Sequence, residues 1–340
     1  MNSKFKPYIN RFLVFFLGIL FALVLGEIFI RLLRQAPQVA WVQKGRYRLS
    51  SNIKLGYEPV PALDYHGEEM SFYDWQGETN KLGFRDYEHN EKRALGVYRI
   101  LVLGDSITAG LGLSTYKDTF CGQLENVLEK TEVFNFGVSG YNTQQEVEIF
   151  KEKGLKYSPD LVIVAYCLND RERDDGDILL TLLEMEENNN QKKISLVRNH
   201  PWLLKSALYR FIKYKIILAF RKNKLKGKQS AYYKALAEDT VEEYFSELAD
   251  IAKKNNFKVL VVVFPLFEDL INYKYLKEHS YIKEICEKEK FYYLDLLSVF
   301  KEDLKGGENK LAIDIYHPSV LGHRLAGEVI AGYVEKEIRS

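Results

Sequence analysis

The sequence predicts an α/β domain, a parallel sheet layered between helices, preceded by one membrane-spanning helix. Three observations point there: five short runs of apolar β-formers, helical periods between those runs, and a long apolar stretch near the amino terminus. The runs are residues 99–103, 133–136, 161–167, 258–264 and 292–296, rich in Val, Ile, Leu and Tyr. Near-continuous apolar runs of this length suit strands covered on both faces, which is the condition of a parallel sheet. Between the first two, Phe120, Leu124 and Leu128 recur at helical spacing within 119–129. A second helical period occupies 235–254, and a third follows Pro318 over 319–334. In such sheets, ligands bind outside the carboxyl ends of the strands, so residues just after each run are the ones to weigh.

The apolar stretch covers residues 12–33, close to the ~20 residues that cross ~30 Å of hydrocarbon. Its uncharged part ends at Gly26. Glu27 and Arg31 follow at i,i+4, a spacing that lets them pair at the membrane boundary. Small residues at −3 and −1, which signal cleavage needs, are not supplied around Arg34-Gln35-Ala36 or Gln38-Val39-Ala40, so an uncleaved anchor is expected. Basic residues flank both ends, with Lys4, Lys6 and Arg11 before the span and Arg31, Arg34, Lys44, Arg46 and Arg48 after it. Counted literally, the positive-inside rule leaves the bulk of the chain cytoplasmic. A short basic head before an apolar run also resembles an export signal, and an extracytoplasmic main domain is the reading taken. The expected organisation is 1–34 stub and anchor, 35–97 linker and irregular lead-in, and 98–340 main domain with an insert at 171–235.

Composition excludes several classes. With 48 basic against 47 acidic residues the net charge is +1, so no global field recruits nucleic acid. The three cysteines, Cys121, Cys167 and Cys286, are scattered, lack CxxC spacing, and provide neither a disulfide framework nor a metal cluster. The acidic turn 171–177 lacks the ligand spacing of a calcium loop. No metal or organic cofactor is implied.

The strand ends carry the chemistry. The first run leads into Gly104-Asp105-Ser106-Ile107-Thr108-Ala109-Gly110, a turn that exposes a serine at a strand exit. The second leads into Asn135-Phe136-Gly137-Val138-Ser139-Gly140, and the third into Cys167-Leu168-Asn169-Asp170. Far downstream stands Asp314-Ile315-Tyr316-His317-Pro318, where residues three apart converge on one side of a turn. These four blocks, in this order, resemble those of the SGNH/GDSL serine hydrolases over roughly 98–335.

The resemblance implies a three-layer α/β/α, flavodoxin-like sandwich. It also implies a triad of Ser106, His317 as base and Asp314 as its orienting partner. The oxyanion hole would be the N–H groups of Ser106 and Gly137 with the Asn169 amide. Asp105 is then a site-shaping residue and not the triad acid. His323 is the rival base but lacks an aspartate three residues earlier. Ser139 is a rival nucleophile without the strand exit. One departure is Cys167, where the family carries glycine. It is expected to narrow the cleft or shift its loop.

The function this implies is a membrane-anchored esterase acting on O-acyl, most simply O-acetyl, esters of carbohydrate or lipid through an acyl-serine. Two alternatives stand beside it. One is an O-acyltransferase serving an extracytoplasmic glycan beside a membrane-bound O-acyltransferase partner. The other is a non-catalytic binding or scaffold protein, whose mark would be a missing triad residue. Within the insert, 205–228 holds Lys205, Arg210, Lys213, Lys215, Arg221, Lys222, Lys224, Lys226 and Lys228 with no acid. Leu204, Leu208, Phe211, Ile212, Ile217, Leu218 and Phe220 interleave. This reads either as a cap helix with a solvated basic face or as a helix drawn to anionic headgroups of the bilayer.

Overall fold

A computed structural model of the chain describes residues 6–33, 46–62, 79–171, 177–190, 203, 205–217, 227–303 and 310–340. These belong to two compact units, Met1–Tyr47 with Gly176–Ala231, and Arg48–Asp175 with Tyr232–Ser340.

A two-stranded sheet, β1 (Tyr47–Leu49) and β2 (Tyr57–Pro59), opens the second unit from Arg48 onward. Five further strands follow: β3 (Tyr98–Gly104), β4 (Thr131–Gly137), β5 (Leu161–Tyr166), β6 (Lys258–Val263) and β7 (Tyr292–Asp295). They form one parallel sheet in the order β4-β3-β5-β6-β7. Each strand matches one predicted run to within two residues at either end. The chain leaves β3 to one side for β4, then crosses back to lay β5 on the other. A crevice therefore opens between the carboxyl ends of β3 and β5.

Helices Phe120–Val127 and Val320–Tyr333 pack together over one face, with the core of Ile100, Val102, Ile163, Leu260, Val262 and Phe264 beneath them. Thr143–Ile149 and Val241–Asn255 pair as a second set of helices. The fold is thus the three-layer α/β/α sandwich with flanking helices. The period over 235–254 does not make a single helix. Gly227–Ala235 stops, Asp239 takes φ 54°, and Val241–Asn255 starts anew. The break is held from a distance. Gln144 donates to Ala235 O (2.7 Å) and accepts from Ala237 N (3.0 Å), while Asp239 N donates to Arg171 O (2.8 Å). These tertiary partners satisfy the backbone groups a continuous helix would have used.

In the lead-in, Asn80 Oδ1 accepts from Leu82 N and Phe84 N (3.0 Å each), and this turn buries Phe84 against Phe136 with ring centroids 4.2 Å apart.

The first unit contains the helix Lys6–Leu32. Its segment Arg11–Leu32 has a mean hydropathy of 2.8 and, among the described residues, is the one helix long and apolar enough to cross a membrane. The Glu27–Arg31 pair forms as the spacing predicts, at 2.7 Å. The same unit holds the helix Asp177–Asn190 and a helical segment Ala207–Arg210 that continues as Phe211–Ile217. Of the basic insert, Leu204, Leu218, Phe220, Arg221, Lys222, Lys224 and Lys226 lie outside the described residues.

Candidate active site

β3 ends on Gly104, and the next turn folds straight back as the four-residue helix Ser106–Ala109. A Cβ on Gly104 would lie 2.1 Å from Thr108 Oγ1, so only glycine lets this helix close over the strand end. Asp105 caps it, with Oδ1 accepting from Ile107 N (2.8 Å). Ser106 is thereby lifted out of the sheet as the first helical residue.

More than two hundred residues later, a short loop brings the imidazole to it. Ala312 bridges Pro318, and Ile313 N donates to His317 O (2.8 Å), closing the loop on itself. Inside, Asp314 Oδ1 accepts from Tyr316 N and His317 N (2.8 Å each), a local turn that aims the carboxylate. His317 Nδ1 lies 2.9 Å from both Asp314 oxygens, and Nε2 lies 2.9 Å from Ser106 Oγ. Burial pushes the Asp314 carboxyl up. The hydrogen bond and charge of His317, with the Tyr316 and His317 N–H groups, outweigh it and hold the acid well below the usual carboxylate range. An ionised Asp314 only accepts, so the proton sits on Nδ1 and Nε2 presents its lone pair to the serine hydroxyl.

Asn169 follows β5 in the turn Leu168–Arg171. Its Nδ2 donates to Asp105 Oδ2 (3.0 Å), which also lies 3.4 Å from Ser106 Oγ. Asp105 thus fixes the helix start with one oxygen and the Asn169 amide with the other. Asn169 retains a second amide N–H.

Gly137 departs from its expected place. Its N–H donates to Asn135 Oδ1 (2.9 Å), and a Cβ there would lie 2.2 Å from Ala109 N. This glycine serves the close approach of β4 to the serine helix, and its N–H is committed inside the turn. Three residues on, Gly140 (φ 78°) has an N–H with no acceptor among the described residues. Asn135 extends the brace by donating to Thr108 O (2.9 Å), while its own N–H donates to buried Asp86 Oδ2 (2.8 Å).

The remaining candidates are accounted for. His323 is fully buried, and its Nδ1 accepts from Phe120 N (3.1 Å); burial lowers its pKa to about 3, so it stays neutral and structural. Ser139 is buried with its carbonyl taking the Tyr57 hydroxyl (2.8 Å). Cys167 does not line the cleft. Its side chain lies in the apolar core, 1% exposed, while its N–H donates to Asp170 Oδ2 (2.9 Å). Among the described residues no cluster of His, Cys, Asp and Glu could hold a metal ion.

Two parts of the site escaped the sequence reading. Arg85, buried under the loop after the serine helix, donates to Gly110 O (2.6 Å) and Leu113 O (2.7 Å), with Ala109 O at 3.3 Å. Glu146 and Asp170, both fully buried, are pushed far above the usual carboxylate range by burial first, and then by the charge of Asp105 on both and of Glu146 on Asp170. An arginine after a buried phenylalanine was the only local sign of the first. Nothing local marks the second.

A model of the GDSL-like lipase/acylhydrolase family matches residues 102–325. No curated protein matches the chain significantly. Among solved structures, a member of the lipolytic G-D-S-L family from Veillonella parvula is 12% identical, covering 72% of this chain and 100% of its own, with a TM-score of 0.44. An acetyl xylan esterase is 14% identical over 69% and 99%, with a TM-score of 0.43. An acetyl-xylooligosaccharide esterase from Geobacillus stearmophilus is 19% identical over 71% and 95%, with a TM-score of 0.42. The matched span runs from within β3 past the histidine loop and takes in the other four strands of the parallel sheet whole, so the chain belongs to the GDSL-like lipase/acylhydrolase family and is an ester-hydrolysing serine hydrolase.

Proposed function

We propose that the protein is a membrane-anchored esterase that removes short O-acyl groups, O-acetyl foremost, from carbohydrate or lipid on the extracytoplasmic side. The observation that carries the chemistry is the unbroken chain from Ser106 Oγ through His317 to Asp314, every link 2.9 Å. In this reading His317 Nε2 takes the hydroxyl proton as Ser106 attacks the ester carbonyl, and Asp314 stabilises the imidazolium that forms. The imidazolium then protonates the leaving alkoxide, and water releases the acyl group from Ser106 by the same route in reverse.

The oxyanion takes the Ser106 N–H and the second N–H of Asn169. With Gly137 committed to Asn135, the Gly140 N–H is a backbone donor still available in the turn after β4. Ile315 and Tyr316 stand exposed beside His317, an apolar and aromatic rim suited to the face of a sugar ring or a lipid backbone. The anchor is the Arg11–Leu32 segment.

The test is acetate release by the full-length protein from O-acetylated glycans and lipids, wild type against Ser106→Ala, with acyl chains of increasing length. Ser106-dependent release that falls as the chain lengthens is expected. Hydrolysis of an activated aryl ester with no Ser106-dependent release from any acetylated carbohydrate or lipid would overturn the substrate reading. Transfer of the acyl group to an added glycan hydroxyl, in place of release to water, would favour the acyltransferase.

A further inference from the structure

Within the first unit, the carboxylate of Glu27 is saturated by Arg31 on its own helix and by three donors from far along the chain. Oε1 accepts from Ala207 N (2.9 Å) and Arg31 Nε (2.7 Å). Oε2 accepts from Leu208 N and Ser206 Oγ (2.8 Å each). Arg31 in turn donates to Lys205 O (2.7 Å), and Ser206 Oγ accepts from Tyr209 N (3.1 Å). The first three N–H groups of the helical segment 207–217, which no helix can satisfy internally, are therefore all taken. Two of them are taken by the apolar helix itself.

Glu27 lies five residues before Leu32, the end of the apolar segment, or about 8 Å of helix rise. A carboxylate at that depth in a bilayer is tolerated only when it is paired and hydrogen-bonded, and this one is. The same depth is where amphipathic helices rest, with the apolar face ~5–10 Å into the boundary between headgroups and acyl chains.

The side chains agree. Leu208 packs over Gly26, where a Cβ would lie 3.2 Å from its Cδ2, and shares a cleft with Leu23, Val24 and Ile28. One turn and two turns on, Ile212 and Ile216 continue that row, yet are 41% and 40% exposed. A row that meets the lipid-facing surface of a membrane helix and then runs on uncovered is placed to meet the same lipid. The segment Lys205–Ile217 carries Lys205, Arg210, Lys213 and Lys215 and no acid, which complements anionic headgroups.

We propose that residues 206–217 form an interfacial helix lying in the headgroup–acyl boundary, its start clamped to the anchor by Glu27 and its Leu208–Ile212–Ile216 row facing acyl chains of an anionic bilayer. This rests on the anchor reading above, and the experiment separates the two.

Single cysteines at Leu20, Ile212, Lys215 and Ile216 are spin-labelled in the full-length protein reconstituted in phosphatidylcholine–phosphatidylglycerol nanodiscs. The three native cysteines are buried, so labelling of the parent protein gives the background. Accessibility to oxygen against a water-soluble nickel chelate is read at each site. Leu20, Ile212 and Ile216 are expected to favour oxygen and Lys215 to favour nickel. In Glu27→Gln, the oxygen preference at Ile212 and Ile216 falls several-fold while Leu20 is unchanged.

Nickel access at Ile212 and Ile216 with Leu20 still in lipid overturns the interfacial helix and leaves the anchor. Shielding of both positions from both reagents means that protein covers the row, and also overturns it. Nickel access at Leu20 overturns the anchor itself. An unchanged profile in Glu27→Gln removes Glu27 as the clamp.

Discussion

Replacing Asp314 by Asn tests whether the carboxylate sets the tautomer of His317. Oδ1 of Asp314 takes two backbone N–H groups besides the imidazole, whereas Oδ2 faces only His317 Nδ1 at 2.9 Å. An asparagine keeps its carbonyl oxygen where the two N–H groups are and so places its NH₂ against Nδ1. Two donors cannot face each other at that distance, so Nδ1 gives up its proton and Nε2 becomes N–H. The nitrogen 2.9 Å from Ser106 Oγ then donates instead of accepting, and the serine has no base. The opposite amide orientation repairs Nδ1 but sets NH₂ against two backbone N–H groups at 2.8 Å. A wrong tautomer of this kind costs ~10⁴ in kcat, about 5.4 kcal/mol of transition-state stabilisation. The assay is kcat and KM on a short aryl ester, with circular dichroism to show that the variant is folded. KM should hardly move, because Asp314 reaches Ser106 only through His317. A folded Asp314→Asn enzyme within tenfold of wild-type kcat would show that the carboxylate does not set the His317 tautomer.

Asn169→Ala removes one oxyanion donor and is expected to lower kcat by ~10²–10³ with little change in KM, measured on the same ester. Arg85→Ala leaves the Gly110 and Leu113 carbonyls without their donor in a buried loop, and should cost about 3 kcal/mol in a urea titration. The Asp314 carboxyl is lower in the fold than in the unfolded chain. Its contribution is therefore complete above about pH 4 and lost as pH falls through the depressed value, so acid unfolding of Asp314→Asn should be shallower than wild type. Asp86 runs the other way. Burial pushes it up to about 6 despite His89, so its contribution is present below about pH 4 and lost as pH rises to about 6, on the order of 2–3 kcal/mol. Stability against pH should be flatter over that window in Asp86→Asn.

The parts of this molecule set by local pattern were readable from sequence. The five strands are apolar runs buried on both faces, and burial is what an apolar run reports. Asp314 and His317 meet through a turn four residues long, which spacing alone can foresee. What was missed depends on who stands next to whom across the chain. Gly137 sits in the right block, but its N–H is claimed by Asn135, two residues back, whose own orientation is set by Asp86 and Thr108. Cys167 faces the core because the register of β5 turns it there, away from the cleft where its place in the block suggested it. The helical period over 235–254 continues past residues 236–240, yet Gln144 and Arg171 capture that backbone and break it. Glu146 and Asp170 come from different elements, and only the folded sheet brings them together. Glu27 and Arg31 were legible as a pair, but the helix start that Glu27 also holds lies some 180 residues away.

Ser106 is made nucleophilic by the neighbouring His317 imidazole, and labelling with a fluorophosphonate, read by intact mass and peptide sequencing, probes that pairing at the serine itself. One adduct per chain is predicted, on Ser106, lost in Ser106→Ala and slowed by several decades in His317→Ala. A folded protein that takes no adduct, or takes it on another residue with Ser106→Ala still labelled, would mean that Ser106 is not the nucleophile.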